Sequence, residues 1–172
     1  INAYWELTGK GIFKEEEMLR FLRYKSRDNA RTPMQWDASP NAGFTEGEPW
    51  IMVNPNYGEI NAADQTGRED SVFSFYKELV KLRKEKPVIV NGEYRLLDPE
   101  SEDVFVYERS FHEEHLLVVC SFAEKELLWR LPEEMAGQAA KRVIGNYEGQ
   151  QWGPELMLRP YEASVWEWTK GE

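Results

Sequence analysis

The hydrophobic pattern of the chain changes its period near residue 88, and this change constrains the fold more than any other feature. Between residues 72 and 83, apolar side chains recur at helical spacing, on a segment that follows Asp70 and ends before Pro87. From Val88 onward, apolar and polar residues alternate, as they do in half-buried strands. The pattern therefore predicts a helix capped by Asp70 and then a β-rich region.

Six short strands are expected in this second region, at residues 93–97, 104–109, 116–122, 126–131, 141–144 and 163–168. Pro, Gly, Asn and acidic turns separate them. Several short strands with regular turns favour an antiparallel sandwich. Trp166 and Trp168 share one face of the last strand. That face suits a sugar platform as well as packing, and we favour packing.

The first 70 residues have a different character. Residues 1–24 carry helical signals that break at Gly9 and Gly11, with acids in the first turn of the second segment and bases in its last turn. Residues 25–69 form a long stretch rich in Asn, Gly and Pro with little periodicity. The many aromatic and apolar residues in this stretch indicate an ordered loop rather than a disordered one. Ordered loops of this length are usually functional.

Within this loop, residues 27–36 read Arg-Asp-Asn-Ala-Arg-Thr-Pro-Met-Gln-Trp. Pro33 disfavours a helix and favours a short strand or an ordered loop. The segment supplies the group types that hydrogen-bond hydroxyl-rich ligands, on Arg27, Asp28, Asn29, Arg31 and Gln35. The same composition is also typical of a structural knot that ties a loop to its domain.

The string at 27–36 resembles the signature near the end of the catalytic barrel in glycoside hydrolase family 13. The resemblance is to the branch that holds oligo-1,6-glucosidase, other α-glucosidases, dextran glucosidase and trehalose-6-phosphate hydrolase. Further blocks resemble that branch in order and spacing, at residues 41–45, 47–51, 53–57, 60–61, 70–73, 82–84 and, more weakly, 158–163.

This resemblance implies an α+β fragment made of two parts. Residues 1–88 would be the C-terminal end of the catalytic (β/α)8 TIM barrel, with its last helix, strand, long loop and helix. Residues 89–172 would be an antiparallel all-β C-terminal domain, a β-sandwich.

The resemblance also implies a retaining glycoside hydrolase that acts on α-linked glucosides through a covalent glucosyl intermediate. In the family, the catalytic carboxylates lie on earlier barrel strands, and no stretch of this sequence matches their motifs. We therefore assign no catalytic residue. An arginine of the 27–36 motif reaches the glucose subsite in this branch, and the matching position is Arg31, with Arg27 as second choice. Trp36 and Trp50 are candidates for the entrance, although burial is the commoner fate of such tryptophans.

The substrate is not fixed by these residues. α-1,6 and α-1,4 linkages, trehalose 6-phosphate and sucrose isomerisation all stay open, as does a calcium requirement. The net charge of -10 disfavours nucleic acid and membrane as partners, since both need a basic patch, and suits a neutral oligosaccharide. No apolar run approaches a membrane span.

The single cysteine, Cys120, lies in an apolar run, so we expect a buried, reduced thiol and a cytoplasmic location. We expect no cofactor and no metal site. The run His112 to His115 lacks the spacing of a metal motif, and we interpret it as an exposed turn between two strands.

The chain opens on Ile1 within an amphipathic pattern, so we expect a piece of a longer enzyme that is inactive alone. Its cut barrel would expose apolar surface at residues 31–60 and 72–83, which predicts self-association. The alternative is a stand-alone carbohydrate-binding or interaction module without catalysis.

Overall fold

A computed structural model describes residues 2–169. The chain divides into two compact units, residues 1–74 and residues 75–172. The first unit opens with two helices, α1 (Asn2–Gly9) and α2 (Glu15–Lys25). The predicted break between them is confirmed, and Gly11 at the break has a φ of 70°. In α2, Met18 is the buried residue of the apolar stripe.

The long loop of the first unit consists of short turns. Three 3-10 turns, Arg27–Ala30, Pro40–Gly43 and Pro55–Gly58, precede the short helix α3 (Ala62–Thr66). No strand forms among residues 25–69 of the structure, so the barrel strand stays a prediction. A strand of a parallel barrel needs a neighbouring strand on each side, and here the backbone of residues 35 and 36 bonds to residues 42, 62 and 63.

Helix α4 (Val72–Glu85) confirms the helix predicted from the apolar spacing, but its cap is Ser71. The Ser71 hydroxyl accepts a hydrogen bond from the Ser74 amide at 3.1 Å. Asp70, which the sequence favoured as the cap, pairs with Arg68 at 3.1 Å. The prediction of Asp70 was wrong by one residue because that carboxylate is engaged by a neighbouring guanidinium.

The second unit is a sandwich of two antiparallel sheets. After a short helix α5 (Pro87–Asn91), the larger sheet has the order β1-β2-β3-β7-β5 and the smaller sheet pairs β4 with β6. The strands are β1 (Glu93–Leu96), β2 (Val104–Phe111), β3 (Glu114–Ser121), β4 (Leu127–Arg130), β5 (Lys141–Gly145), β6 (Glu155–Leu158) and β7 (Ala163–Thr169). A short helix, α6 (Glu133–Ala136), follows β4. Strand β6 and the helices α5 and α6 were not predicted.

The core of the second unit takes alternate residues from both sheets. Val106, Leu117 and Val119 come from the larger sheet, and Leu156 and Leu158 from the smaller one; all are fully buried. Trp166 and Trp168 belong to the same cluster, at 2% and 7% exposure. The predicted sandwich is therefore confirmed, and the two tryptophans are packing residues.

Candidate functional site

The segment that carries the predicted site is tied to helix α2 by Asn29. Its side-chain amide donates to the Arg23 carbonyl at 2.6 Å, and its backbone amide donates to the Ser26 carbonyl at 3.1 Å. These bonds fold residues 27–30 into a 3-10 turn directly after the helix. The turn fixes the direction in which Asp28 and Arg31 leave the backbone.

Arg31 contacts a carboxylate and an aromatic ring at once. Its Nη1 donates to Asp28 Oδ1 at 3.0 Å, and its guanidinium carbon lies 5.2 Å from the ring centroid of Trp50. The Arg31 side chain is 39% exposed and that of Asp28 55%. An ion pair this exposed contributes little to stability. The guanidinium thus lies at the surface, and its Nε and Nη2 make no hydrogen bond to any residue between 2 and 169.

Arg27, the second candidate, has no such fixing contact. Its side chain is exposed, and it makes no hydrogen bond or ion pair with any residue between 2 and 169. The structure thus brings Arg31, Asp28 and Trp50 together and leaves Arg27 apart.

Gln35 has a bracing role. Its side-chain amide donates to Asn56 Oδ1 at 3.0 Å and to the Ile60 carbonyl, and the backbone carbonyl of Gln35 accepts from the Ala62 amide at 2.9 Å. These bonds join the motif to the 55–62 segment. The amide that sequence composition offered to a ligand is therefore occupied within the loop.

A left-handed turn follows Trp36. Asn41, Ala42 and Gly43 have φ values of 54°, 58° and 66°. The Ala42 carbonyl accepts from the Trp36 amide at 2.9 Å, and the Asp37 carboxylate accepts from the Ser39 hydroxyl and amide. The hydroxyl and then the amide lower the pKa of Asp37 below its ordinary value.

The two tryptophans of the loop are not buried, which is the opposite of their commoner fate. Trp36 is 53% exposed and Trp50 is 79% exposed. The exposed indole of Trp50 beside the Arg31 guanidinium offers stacking and charge-assisted donors together. Such a surface can bind a neutral, hydroxyl-rich ring, but it holds no pair of carboxyl groups set for proton transfer and nucleophilic attack.

His115 corrects the interpretation of residues 112–115 as an exposed turn. His112 does lie in the turn, with a φ of 53°, but His115 belongs to β3 and is half-buried. Its Nδ1 lies 2.8 Å from Oε1 of the buried Glu108, and its ring stacks on Trp168 at 5.2 Å. Arg95 donates to the other Glu108 oxygen at 2.9 Å. The alternation of β3 carries His115 to the face of the sheet that holds Trp168.

Between residues 2 and 169 there is no group of three potential metal ligands.

A largely apolar cavity of the second unit measures about 490 Å³ and lies between α4 and the sheet face opposite the core. Phe75, Leu79 and Val118 line it, together with Cys120. The Cys120 thiol is half-buried, and burial raises its pKa. This lining has few polar groups and does not suit a sugar.

Comparison with known proteins identifies the family. A model of the alpha amylase catalytic domain matches residues 5–92, and a model of the maltogenic amylase C-terminal domain matches residues 94–165. The chain therefore belongs to the alpha-amylase family. The predicted fold, the end of the catalytic barrel followed by an antiparallel β domain, is thereby confirmed.

Relatives with solved or curated records give the same result. Oligo-1,6-glucosidase from Bacillus cereus is 40% identical over 96% of this chain. The crystal structure of trehalose-6-phosphate hydrolase from Bacillus licheniformis superposes with a TM-score of 0.90, at 39% identity over 98% of this chain. Isomaltulose synthase from Klebsiella sp. LX3 gives a TM-score of 0.89, at 37% identity over 95% of this chain.

The chain spans about a third of the length of these relatives, with coverage of 31%, 31% and 30% in the order given. Within residues 2–169, every helix is too short or too polar to cross a membrane.

Proposed function

We propose that this chain is the C-terminal part of a retaining α-glucosidase-type glycoside hydrolase acting on α-linked glucosides. Relatives named oligo-1,6-glucosidase and trehalose-6-phosphate hydrolase support this proposal, since each is matched across nearly the whole chain. The reaction needs a nucleophilic carboxylate and a carboxylic acid on either side of the scissile bond. We assign neither to this chain, so the chain alone is inactive and the catalytic pair belongs to the rest of the enzyme.

We propose further that Arg31 binds the glucose unit at the non-reducing end, with Arg27 as the second choice. The observation that carries this proposal is the Arg31–Asp28 pair at 3.0 Å on the rim of an exposed loop. The carboxylate orients the guanidinium, and its remaining N–H groups form a rigid, planar set of donors directed at the ligand. Charge-assisted bonds to sugar hydroxyls from such a fork are stronger than neutral ones. Arg27 has the donors but not the orienting partner.

We divide the chain into two parts, of which the first carries the proposed site. We place the barrel portion at residues 1–88 and the β-sandwich domain at 89–172, with the site on the first. The enzyme works in the cytoplasm on a neutral glucoside or its phosphorylated form, without nucleic acid or membrane as partner.

The apolar surface of the first unit supports self-association of the chain when it is separated from its enzyme. Trp50, Met52 and Tyr24 are each more than three-quarters exposed. Exposed apolar side chains of this kind favour association in water. Light scattering of the isolated chain tests this: a monomer that binds no apolar dye would overturn it.

The experiment for the main proposal uses the full-length enzyme and three arginine variants. Activity is measured on isomaltose and trehalose 6-phosphate, and the anomer first released is read by NMR. We expect α-glucose as the first product, because the reaction retains configuration. Arg31→Ala should lower kcat/KM by about 10- to 100-fold, the loss of hydrogen bonds to a charged donor.

The matched control is Arg130→Ala, because Arg130 is exposed on β4 and pairs, within residues 2–169, with Glu155 alone. This variant should keep normal kinetics. Kinetics within twofold of normal for Arg31→Ala would show that Arg31 does not bind the sugar, and a large loss for Arg27→Ala would transfer the role to that residue. Absence of hydrolysis of every α-glucoside by the unmodified enzyme would refute the function itself.

A further inference from the structure

We propose that Trp50 is a positioning residue for Arg31, so that the indole face and the Asp28 carboxylate together hold the guanidinium in its binding direction. This inference rests on the proposed function, because it takes Arg31 as the group that binds glucose. It assigns to Trp50 a task that acts through Arg31 rather than through contact with the sugar.

The geometry supports this task in two ways. The guanidinium carbon lies 5.2 Å from the ring centroid of Trp50, within the range of a cation–π contact. The Asp28 carboxylate binds Nη1 alone, at 3.0 Å, and comes from the 3-10 turn, whereas Trp50 comes from a separate part of the loop. Contacts from two segments fix both the position and the plane of the guanidinium.

Burial does not account for the place of Trp50. Its side chain is 79% exposed. Among residues 2–169, Arg31 is the one aromatic or cationic residue whose side chain contacts the Trp50 ring. A large aromatic side chain is thus held at the surface against a single functional group.

Pre-ordering matters for an arginine because its long side chain loses rotamer freedom when it binds a ligand. If the bound conformation is already populated before the ligand arrives, that cost is removed from the binding step. With the single hydrogen bond to Asp28 alone, the guanidinium of Arg31 could still rotate about that bond. The ring of Trp50 restricts this rotation.

The test is a double-mutant cycle in the full-length enzyme, measured as kcat/KM on the glucoside that it hydrolyses. Trp50→Ala should lower kcat/KM by about two- to fivefold, the size of an exposed cation–π contact. Trp50→Phe should recover most of the activity, because phenylalanine keeps an aromatic face. In the Arg31→Ala background, Trp50→Ala should cause no further loss.

The control is Met52→Ala, since Met52 is a neighbouring residue that is 77% exposed. It should leave kcat/KM unchanged. Losses that multiply in the double variant would mean that Trp50 contacts the sugar directly, and normal activity of Trp50→Ala would mean that Trp50 has no role; either result overturns the proposal.

A second measurement does not depend on catalysis. Phenylglyoxal modifies guanidinium groups, and mass spectrometry follows Arg31 with Arg27 as the reference in the same protein. Trp50→Ala should speed the modification of Arg31 relative to Arg27 by about two- to fivefold. If Arg31→Ala has normal kinetics, the proposed sugar-binding role fails, and this rate still decides the positioning role: an unchanged rate overturns it.

Discussion

Arg159 and Glu162 form a two-pronged ion pair in which the carboxylate is completely buried. Arg159 Nε lies 2.9 Å from Glu162 Oε2, and Nη2 lies 2.9 Å from Oε1. The Arg159 backbone amide also donates to Oε2 at 2.9 Å, and the guanidinium lies 4.3 Å from the ring centroid of Tyr147. The weakest of the family-like sequence blocks, residues 158–163, thus contains a buried carboxylate whose two oxygens are both hydrogen-bonded.

The first prediction concerns acid stability. Burial alone would raise the pKa of Glu162, but the hydrogen bonds from Arg159 prevail and lower it. The unfolded value is about 4.3, so between the folded pKa and that pH the unfolded chain binds more protons than the folded one. The stabilisation is therefore full above about pH 4.3 and is lost as the pH falls through the folded pKa. Urea unfolding from pH 7 to pH 3 should show a shallower acid loss in Glu162→Gln than in the native protein.

The control for this experiment is Glu113→Gln, in an exposed turn. That variant should follow the native pH profile. Parallel profiles for Glu162→Gln and the native protein would contradict the assignment of acid sensitivity to Glu162.

The second prediction concerns the sandwich core. Leu117 is fully buried between the two sheets. Leu117→Ala should lower the free energy of unfolding by about 2–5 kcal/mol, since it removes apolar contact and leaves a cavity. The comparison variant is Leu128→Ala, at a position that is 46% exposed, where a change within about 0.5 kcal/mol is expected. Similar losses in the two variants, read from urea unfolding, would mean that the core is not centred on Leu117.

The third prediction concerns the left-handed turn after Trp36. A Cβ at Gly43 would lie 2.8 Å from both Asp37 carboxylate oxygens, and the φ of 66° disfavours any side chain. Gly43→Ala should therefore destabilise the loop by about 1–2 kcal/mol and lower the melting temperature. Gly47→Ala is the matched control, since its nearest neighbour, Thr45 Oγ1, is 3.8 Å away. Equal melting temperatures for both variants would show that the turn relaxes freely.

The fourth prediction concerns the thiol of Cys120. Burial raises its pKa, so at neutral pH it is a thiol rather than the reactive thiolate. Iodoacetamide should modify Cys120 more slowly in the native protein than in the protein unfolded in guanidinium, at the same pH. The native rate should rise as the pH passes above 9. A native rate equal to the unfolded rate would show that the cavity beneath α4 is open to solvent.

Sequence periodicity predicted the parts of the fold in which local pattern and burial agree. Alternation placed Trp166 and Trp168 on one face, and both enter the core. It missed β6, whose four residues directly follow Pro154. It also placed the α4 cap at Asp70, because a nearby Arg68 is not visible as a competitor in a capping pattern.

The site was predicted only in part. The motif identified Arg31 and its neighbours, since their group types and order are local in sequence. The stacking of Trp50 on Arg31 was not predicted, because it depends on how the loop between them turns back. The half-buried position of His115 was missed for a related reason: the strand extends further toward the turn than the run of apolar residues.

Strand β7 lies between β3 and β5 in the larger sheet, although it follows both of them in the chain. During synthesis, β5 leaves the ribosome before it has any neighbour in that sheet, and β3 has only β2. Both expose open edges until residues 163–169 arrive. The sheet therefore closes in one late step, and a nascent chain stalled just short of β7 presents two unpaired edges to chaperones or to other nascent chains.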